Sequence, residues 1–358
     1  MNPKLNFAPI QAARGVAVLL VMLFHTSQMG DKYFHYNFLG VSEMGKSGAY
    51  TFFFVLTGYL MYTLYHERFG RPEAAGPFLL KRFMRIYPLY WLLMAVMVPV
   101  YFVFPSFGVG YERRFSVITE SLLLWPQANA PVLPVAWSLS YVVFFYLAFA
   151  LFFLLREGAA AAIFSSWFTI IVLHACGLIA LKDNVLIQFL FSEVHLEFFA
   201  GMFVAYWAQR KRIPGGSLVW ILAGALVYPM LWITRMTETN LHVDLLHTIG
   251  SVLILIGITN WRNAGSRILK SLVACGNASY SILLTSLAML SITMKLARAI
   301  HLPNGLGAAG TIILCYLISV ALSLAFYRVV EKPLLAWLKQ VLKSREQQRS
   351  AWAEAVKR

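Results

Sequence analysis

Long apolar runs restrict this chain more than any other feature. About ten stretches of roughly 17 to 25 mostly apolar residues recur from end to end, each long enough for a helix to cross a hydrocarbon layer about 30 Å thick. They fall at 9–29, 49–65, 86–104, 134–155, 160–181, 186–208, 217–234, 243–260, 274–294 and 308–329. A backbone in lipid has to satisfy its own hydrogen bonds, which a helix does within one segment. Composition agrees: 59% of the residues are hydrophobic and 13% charged, and mean hydropathy is +0.68, which excludes a soluble domain of ordinary usage. The expected fold class is an all-α integral membrane protein, a bundle of about ten transmembrane helices.

The basic residues orient the bundle. They gather near the N-terminus, in the 66–85 and 261–272 segments and in the tail, so the positive-inside rule puts the N- and C-termini in the cytoplasm, in keeping with an even helix count. The expected location is the cell's inner (plasma) membrane, crossed many times. The first run is followed by "TSQMGDKY" with no small-residue cleavage site, so it is expected to be a retained first helix. Residues 1–335 form the transmembrane unit, and 336–358, "AWLKQVLKSREQQRSAWAEAVKR", reads as a basic tail on the inner membrane surface. The net charge of +15 is accounted for by anionic lipid or a phosphorylated cytoplasmic substrate, and no nucleic acid is implied. Cys176, Cys275 and Cys315 lie in apolar runs without C-x-x-C spacing, so neither a disulfide framework nor a metal site is suggested.

Within the first run, "RGVAVLLVMLFH" carries two costly residues. Arg14 and His25 are eleven residues apart. That is roughly 16 Å along a helix and some 20° past three turns, so they share a face. An arginine at a helix end can snorkel to the interface. A histidine at mid-depth normally faces a bundle interior or a wet cavity and marks a functional site.

With further stretches, this segment resembles the membrane-bound acyltransferase-3 family, whose signature in the first helix is Arg-x10-His. The matches run in family order: "FFFVLTGYLMY" (52–62), "LKRFMRIYPLYW" (80–91), "SLLLWP" (121–126), "AWSLSYVVFFYL" (136–147), "GNASYSILLTS" (276–286) and "YRVVEKPL" (327–334). They cover nearly the whole chain, and their flavour is closest to bacterial exopolysaccharide O-acetyltransferases. The resemblance implies a membrane O-acyltransferase moving an acyl group, acetyl first among them, from cytoplasmic acyl-CoA to a hydroxyl of a sugar, polysaccharide or lipid-linked glycan at the outer side. Two positions depart from the family pattern. Val142 stands where members carry the glutamate of W-S-L-S-Y-E, and Ser286 where many have histidine after Y-L-T.

The chemistry assigns roles. Acyl transfer to an alcohol needs a base for its proton, and neutral imidazole suits this near pH 7, which makes His25 the candidate. Arg14 would hold a CoA phosphate or polarise the path. Arg82 and Arg85, beside Lys81 and ahead of "IYPLYW", have the guanidinium forks that favour phosphate, and the same cluster also serves as a positive-inside signal. Tyr87, Tyr90 and Trp91 read as interfacial anchors, and Pro88 as a kink or helix start. Trp137, Ser138 and Ser140 are candidates for holding the acceptor sugar, or else a helix cap and interfacial belt. The proline-rich segment 105–133 is placed to cover that mouth. With valine at 142, the carboxylate left to support His25 is Glu197, with Glu193 on the same helix face and His195 turned away, although a paired structural role fits Glu197 equally. Two other classes fit these residues: a carrier or flippase, which would give flux without thioester cleavage, and a catalytically impaired relative, for which Val142 and Ser286 speak.

Overall fold

The computed structural model describes residues 7–43, 47–210, 216–234, 236, 241–261, 267–342 and 344, and among them the chain is helical with no strand. In chain order the helices are α1 (Phe7–Phe34), α2 (Thr51–Tyr65), α3 (Ala75–Val103), α4 (Phe115–Leu123), α5 (Trp137–Phe149), α6 (Leu151–Leu154) and α7 (Glu157–Ala175). There follow α8 (Val185–Leu190), α9 (Val194–Arg210), α10 (Ser217–Ile233), α11 (Leu241–Thr259), α12 (Arg267–Asn277), α13 (Ser279–Ala299) and α14 (Leu302–Phe326). Eight helical stretches among the described residues are long and apolar enough to cross a membrane, built on α1, α3, α5 with α6, α7, α8 with α9, α11, α13 and α14. Each of the ten apolar runs contains a helix, but α2 and α10 are shorter, at 15 and 17 residues.

Several boundaries differ from the sequence expectation. The third helix begins at Ala75, not near 86, and carries Pro88 and Pro99 inside it. Lys81, Arg82 and Arg85 therefore belong to the helix itself. A proline removes one backbone bond without ending a helix whose neighbours re-satisfy the freed groups. The run at 274–294 is split at Ala278, which has left helical geometry (φ −89°, ψ 4°), so the apolar helix occupies Ser279–Ala299. At the other end, α14 passes through a π-helical turn, Tyr327–Glu331, and the helical stretch continues to Leu342. The rest of the expected tail, 343 and 345–358, lies outside the described residues.

The segment between α3 and α5 folds back into the bundle. Its α4 runs along α3, and the last carbonyls of α4 are taken by aromatic side chains from the middle of α3. Tyr90 Oη donates to the Ser121 carbonyl (2.7 Å), Trp91 Nε1 to Leu122 (2.9 Å) and Tyr87 Oη to Leu123 (3.0 Å). These three aromatics, expected as interfacial anchors, also satisfy the carbonyls at the end of α4, where only the Tyr90 bond is buried. Val117, Val132, Val135 and Ala136 are buried with Tyr90 and Met94 in one core cluster. These buried positions fix one side of the segment against α3, while Val109 and Phe115 remain exposed on the other. Ser121 Oγ accepts the Val132 N–H at 3.0 Å and ties down the return strand of chain.

At the centre, α1 touches α2, α11, α12, α13 and α14. Its tightest approach is to α12. Gly15 lies against the Leu272 carbonyl and Gly276 against the Gln11 carbonyl, so that a Cβ at either position would collide with backbone. Small residues permit this closeness, as they do in membrane helix pairs generally. The result is that Gln11, Arg14 and the start of α13 meet. We expect Gly276→Val to push α12 from α1, costing about 1–3 kcal/mol or more. It should lower Tm in detergent, while Gly158→Ala, on a helix surface with open space around it, leaves Tm unchanged or slightly raised. Equal melting of the two variants would show that the contact is not tight.

Candidate active site

Where α1, α2, α3, α5 and α13 converge they leave a cavity of about 390 Å³, within the range of small-molecule sites. Arg14 and His25 both line it, as the shared helix face requires, with Val21 and Phe24 between them. Arg85 and Ile86 come from α3, Thr57 from α2, Trp137, Ser138, Val142 and Tyr146 from α5, and Ser279 and Tyr280 from α13. Among the described residues that line it there are two guanidiniums and no carboxylate.

At one end the cations are held differently. Arg14 donates to Ser279 Oγ (2.7 Å) and to Gln11 Oε1 (3.0 Å), two neutral partners. Arg85 instead pairs with Glu331 at 2.9 Å and lies over the Tyr280 ring, 5.7 Å from its centroid. Glu331 is 1% exposed and also accepts from Ser281 Oγ at 2.5 Å. Tyr280 is fixed in turn by donating to the Ile86 carbonyl (2.7 Å). The π turn brings Glu331 here, and such bulges recur at functional sites. Among the described residues no carboxylate is hydrogen-bonded to Arg14, and Glu331 acts on it only through space, inside a bundle where a cation is costly. An anionic ligand entering the cavity would meet it.

At the other end, His25 Nδ1 lies 3.3 Å from Gln28 Oε1, one turn on along α1. Trp137 stands edge-on to Tyr50, with ring centroids 5.3 Å apart, and both line the cavity. The wall therefore offers an imidazole, an indole, a phenol and the hydroxyls of Ser47, Thr57 and Ser138.

Three sequence candidates lie elsewhere. Arg82 is behind the wall: its guanidinium sits 5.4 Å from the Tyr146 ring centroid and similarly over Tyr65 and Phe78, and it donates to Tyr65 Oη at 3.2 Å. Ser140 is buried in α5 but does not line the cavity, since Ser138 faces it instead. Glu197 is buried between α9 and α2, where it accepts from Thr51 Oγ1 at 3.2 Å, and it does not line the cavity with His25. His195, turned away from Glu197 as expected, is caged by Tyr141, Phe144, Trp167 and Phe189 and reaches the Phe189 carbonyl at 3.0 Å. Of the two departures, Val142 lines the cavity, whereas Ser286 is buried outside it and donates to the Leu283 carbonyl at 2.8 Å. No group of three or more His, Cys, Asp or Glu capable of holding a metal occurs among the described residues.

An acyltransferase domain matches residues 8–328, nearly the whole chain and every wall of the cavity. The chain belongs to the acyltransferase-3 family. It is similar to the exopolysaccharide production protein ExoZ of Rhizobium meliloti (strain 1021), 28% identical over 327 residues that cover 88% of this chain and 94% of that protein. No solved structure matches. As an acyltransferase-3 member it has an acyl donor to accommodate, and the cavity shared by Arg14 and His25 is the candidate place.

Sequence reasoning missed Ser279, Tyr146, Gln28 and Glu331. Ser279 and Glu331 stood inside quoted family stretches, and Glu331 is an acidic residue in the otherwise basic run after α14. Nothing local marked their partners, which lie 265 and 246 residues away.

The Arg85–Glu331 pair should be asymmetric. Arg85→Ala strands a carboxylate that is 1% exposed, whereas Glu331→Gln leaves a guanidinium whose side chain is 36% exposed and faces a cavity. We expect Arg85→Ala to cost about 3–5 kcal/mol, the usual penalty for breaking a buried pair, and Glu331→Gln clearly less. Thermal unfolding of the two variants checks the order, and the reverse order would mean that Glu331 is hydrated.

Proposed function

We propose that this protein is a membrane O-acyltransferase of the inner membrane, with both termini cytoplasmic and about ten crossings, that takes an acyl group, acetyl foremost, from cytoplasmic acyl-CoA. The acceptor is a hydroxyl of a sugar, polysaccharide or lipid-linked glycan reached from the outer side, a reading supported by the likeness to an exopolysaccharide production protein. The observation that carries it is a cavity in which Arg14 and His25 share one helix face, with no carboxylate among the described lining residues and with neutral hydrogen-bond partners, Gln11 and Ser279, on Arg14.

In this reading Arg14 and Arg85 attract the phosphates of CoA, and the long pantetheine arm spans the interval of roughly 16 Å between Arg14 and His25. Arg82 supports them from behind Tyr146. The acceptor oxygen attacks the thioester carbon while His25 Nε2 takes its proton; the C–S bond then breaks and the proton passes to the departing sulfur. Trp137 and Ser138 stand where a sugar face and its hydroxyls are received. Membrane lipid surrounds the bundle.

Free thiol release from acetyl-CoA by purified protein tests the reaction. His25→Ala should lower it by about 10²- to 10⁴-fold, the typical contribution of a general base, with Tm unchanged. Arg14→Ala should weaken acetyl-CoA binding roughly ten- to more than hundredfold, as loss of a hydrogen bond to a charged group does. Normal turnover in His25→Ala would sink the mechanism, and flux of substrate without thiol release would identify a carrier instead.

Val142 in the cavity wall favours a second reading, a catalytically impaired member. Val142→Glu puts back the family carboxylate, which stabilises imidazolium in the transition state. We expect a severalfold gain in thiol release. A gain from a silent parent identifies an impaired chain, and no gain in a well-folded variant of an active parent shows that His25 already has its partner.

A further inference from the structure

We propose that Gln28 is the positioning residue for His25, supplying from within α1 the orientation that no carboxylate among the described residues lining the cavity supplies. The proposal rests on the reading of His25 as the base. Gln28 Oε1 lies 3.3 Å from His25 Nδ1. Residues three apart on a helix share a face, so this bond is built into α1 and needs no other element. Position 142 offers only a methyl surface across the cavity. The other titratable groups lining the cavity among the described residues are Arg14 and Arg85, which only donate, and Tyr50, Tyr146 and Tyr280, whose hydroxyls can donate or accept but carry no carboxylate charge. The ring of Phe24, 5.7 Å away and edge-on, restrains the imidazole from one more side.

A neutral imidazole carries one N–H. If that proton were on Nε2, the nitrogen free to act as base would be Nδ1, turned into its own helix. An amide oxygen only accepts, so Gln28 Oε1 holds the proton on Nδ1 and leaves the Nε2 lone pair for the acceptor hydroxyl. When Nε2 takes that proton and the O–C bond forms, Nδ1–H remains bonded to Gln28; when the C–S bond breaks, Nε2 returns the proton to sulfur and the ring is neutral again. The amide, exposed beside the ring, orients it without adding a charge. It contributes less charge stabilisation than a carboxylate would, so the chain keeps the tautomer and gives up part of the electrostatic help.

The test uses full-length protein in lipid nanodiscs, with acetyl-CoA as donor and a short-chain alkyl glucoside as acceptor. Gln28→Ala should lower kcat about 10- to 100-fold, the usual effect of removing a residue that orients a functional histidine, with KM for acetyl-CoA and Tm unchanged. Gln28→Glu should keep kcat at or above the parent value. It should also move the acid limb of the pH profile upward, because a carboxylate favours imidazolium and the base form is then lost at a higher pH. In the His25→Ala background Gln28→Ala should change nothing further. Unchanged kcat in Gln28→Ala overturns the proposal. So does a Gln28→Glu variant as slow as Gln28→Ala, since that would mean the amide donates to the ring. Normal turnover in His25→Ala is the separate signature of a wrong base. Independently of turnover, ¹⁵N NMR of labelled histidine should show His25 with its proton on Nδ1 in the parent and a mixture of tautomers in Gln28→Ala; a proton on Nε2 in the parent refutes the assignment.

Discussion

A guanidinium inside an apolar bundle has to be hydrogen-bonded, and much of this structure follows from how Arg14 meets that demand. Its two partners, Gln11 and Ser279, come from its own helix and from the start of α13. The second is within reach only because α1 and α12 touch through Gly15 and Gly276. α12 therefore has to end at Asn277 and the chain turn at Ala278, so that α13 begins at the level of the arginine. The break that divides an apparently continuous apolar run thus places the Ser279 hydroxyl beside a partly buried cation.

The second arginine is treated in the opposite way. Arg85 is neutralised by Glu331, which the π turn after α14 carries inward and which Ser281 also holds. α3, α13 and the end of α14 are thereby locked together behind the cavity, and Tyr280 closes the same joint by bonding Ile86. Both guanidiniums line the cavity, Arg85 in contact with a carboxylate and Arg14 hydrogen-bonded to neutral partners. An anion entering the cavity meets both, Arg14 without a directly bonded carboxylate and Arg85 already paired with Glu331.

Access to His25 depends on the short elements. α2 is 15 residues long, and α5 begins at Trp137 after a segment that folds back beside α3. Tyr50 and Trp137 thus meet at the cavity wall, with Trp137 partly exposed. The fold-back is possible in an apolar setting because its polar backbone is answered by Tyr87, Tyr90, Trp91 and Ser121.

The sequence by itself determined the medium, the helical class, the family resemblance and the shared face of Arg14 and His25, because hydropathy and helical periodicity are local properties. It also placed Arg85, Trp137 and Val142 among the candidates, and all three line the cavity. It could not separate Arg85 from Arg82, three residues earlier, since the difference lies in what each meets: Glu331 and the cavity for one, a cage of aromatic rings for the other. Nor could it choose between Ser138 and Ser140, or exclude Glu197 from the wall around His25, because a side chain's direction depends on helix rotation against its neighbours. Gln28 was within reach of sequence reasoning, three residues from His25, but nothing in the spacing says that an amide and not a carboxylate meets the ring. The i, i+3 contact itself is local to α1, whereas tertiary structure decided that Val142 lines the cavity with His25 and that Glu197 does not.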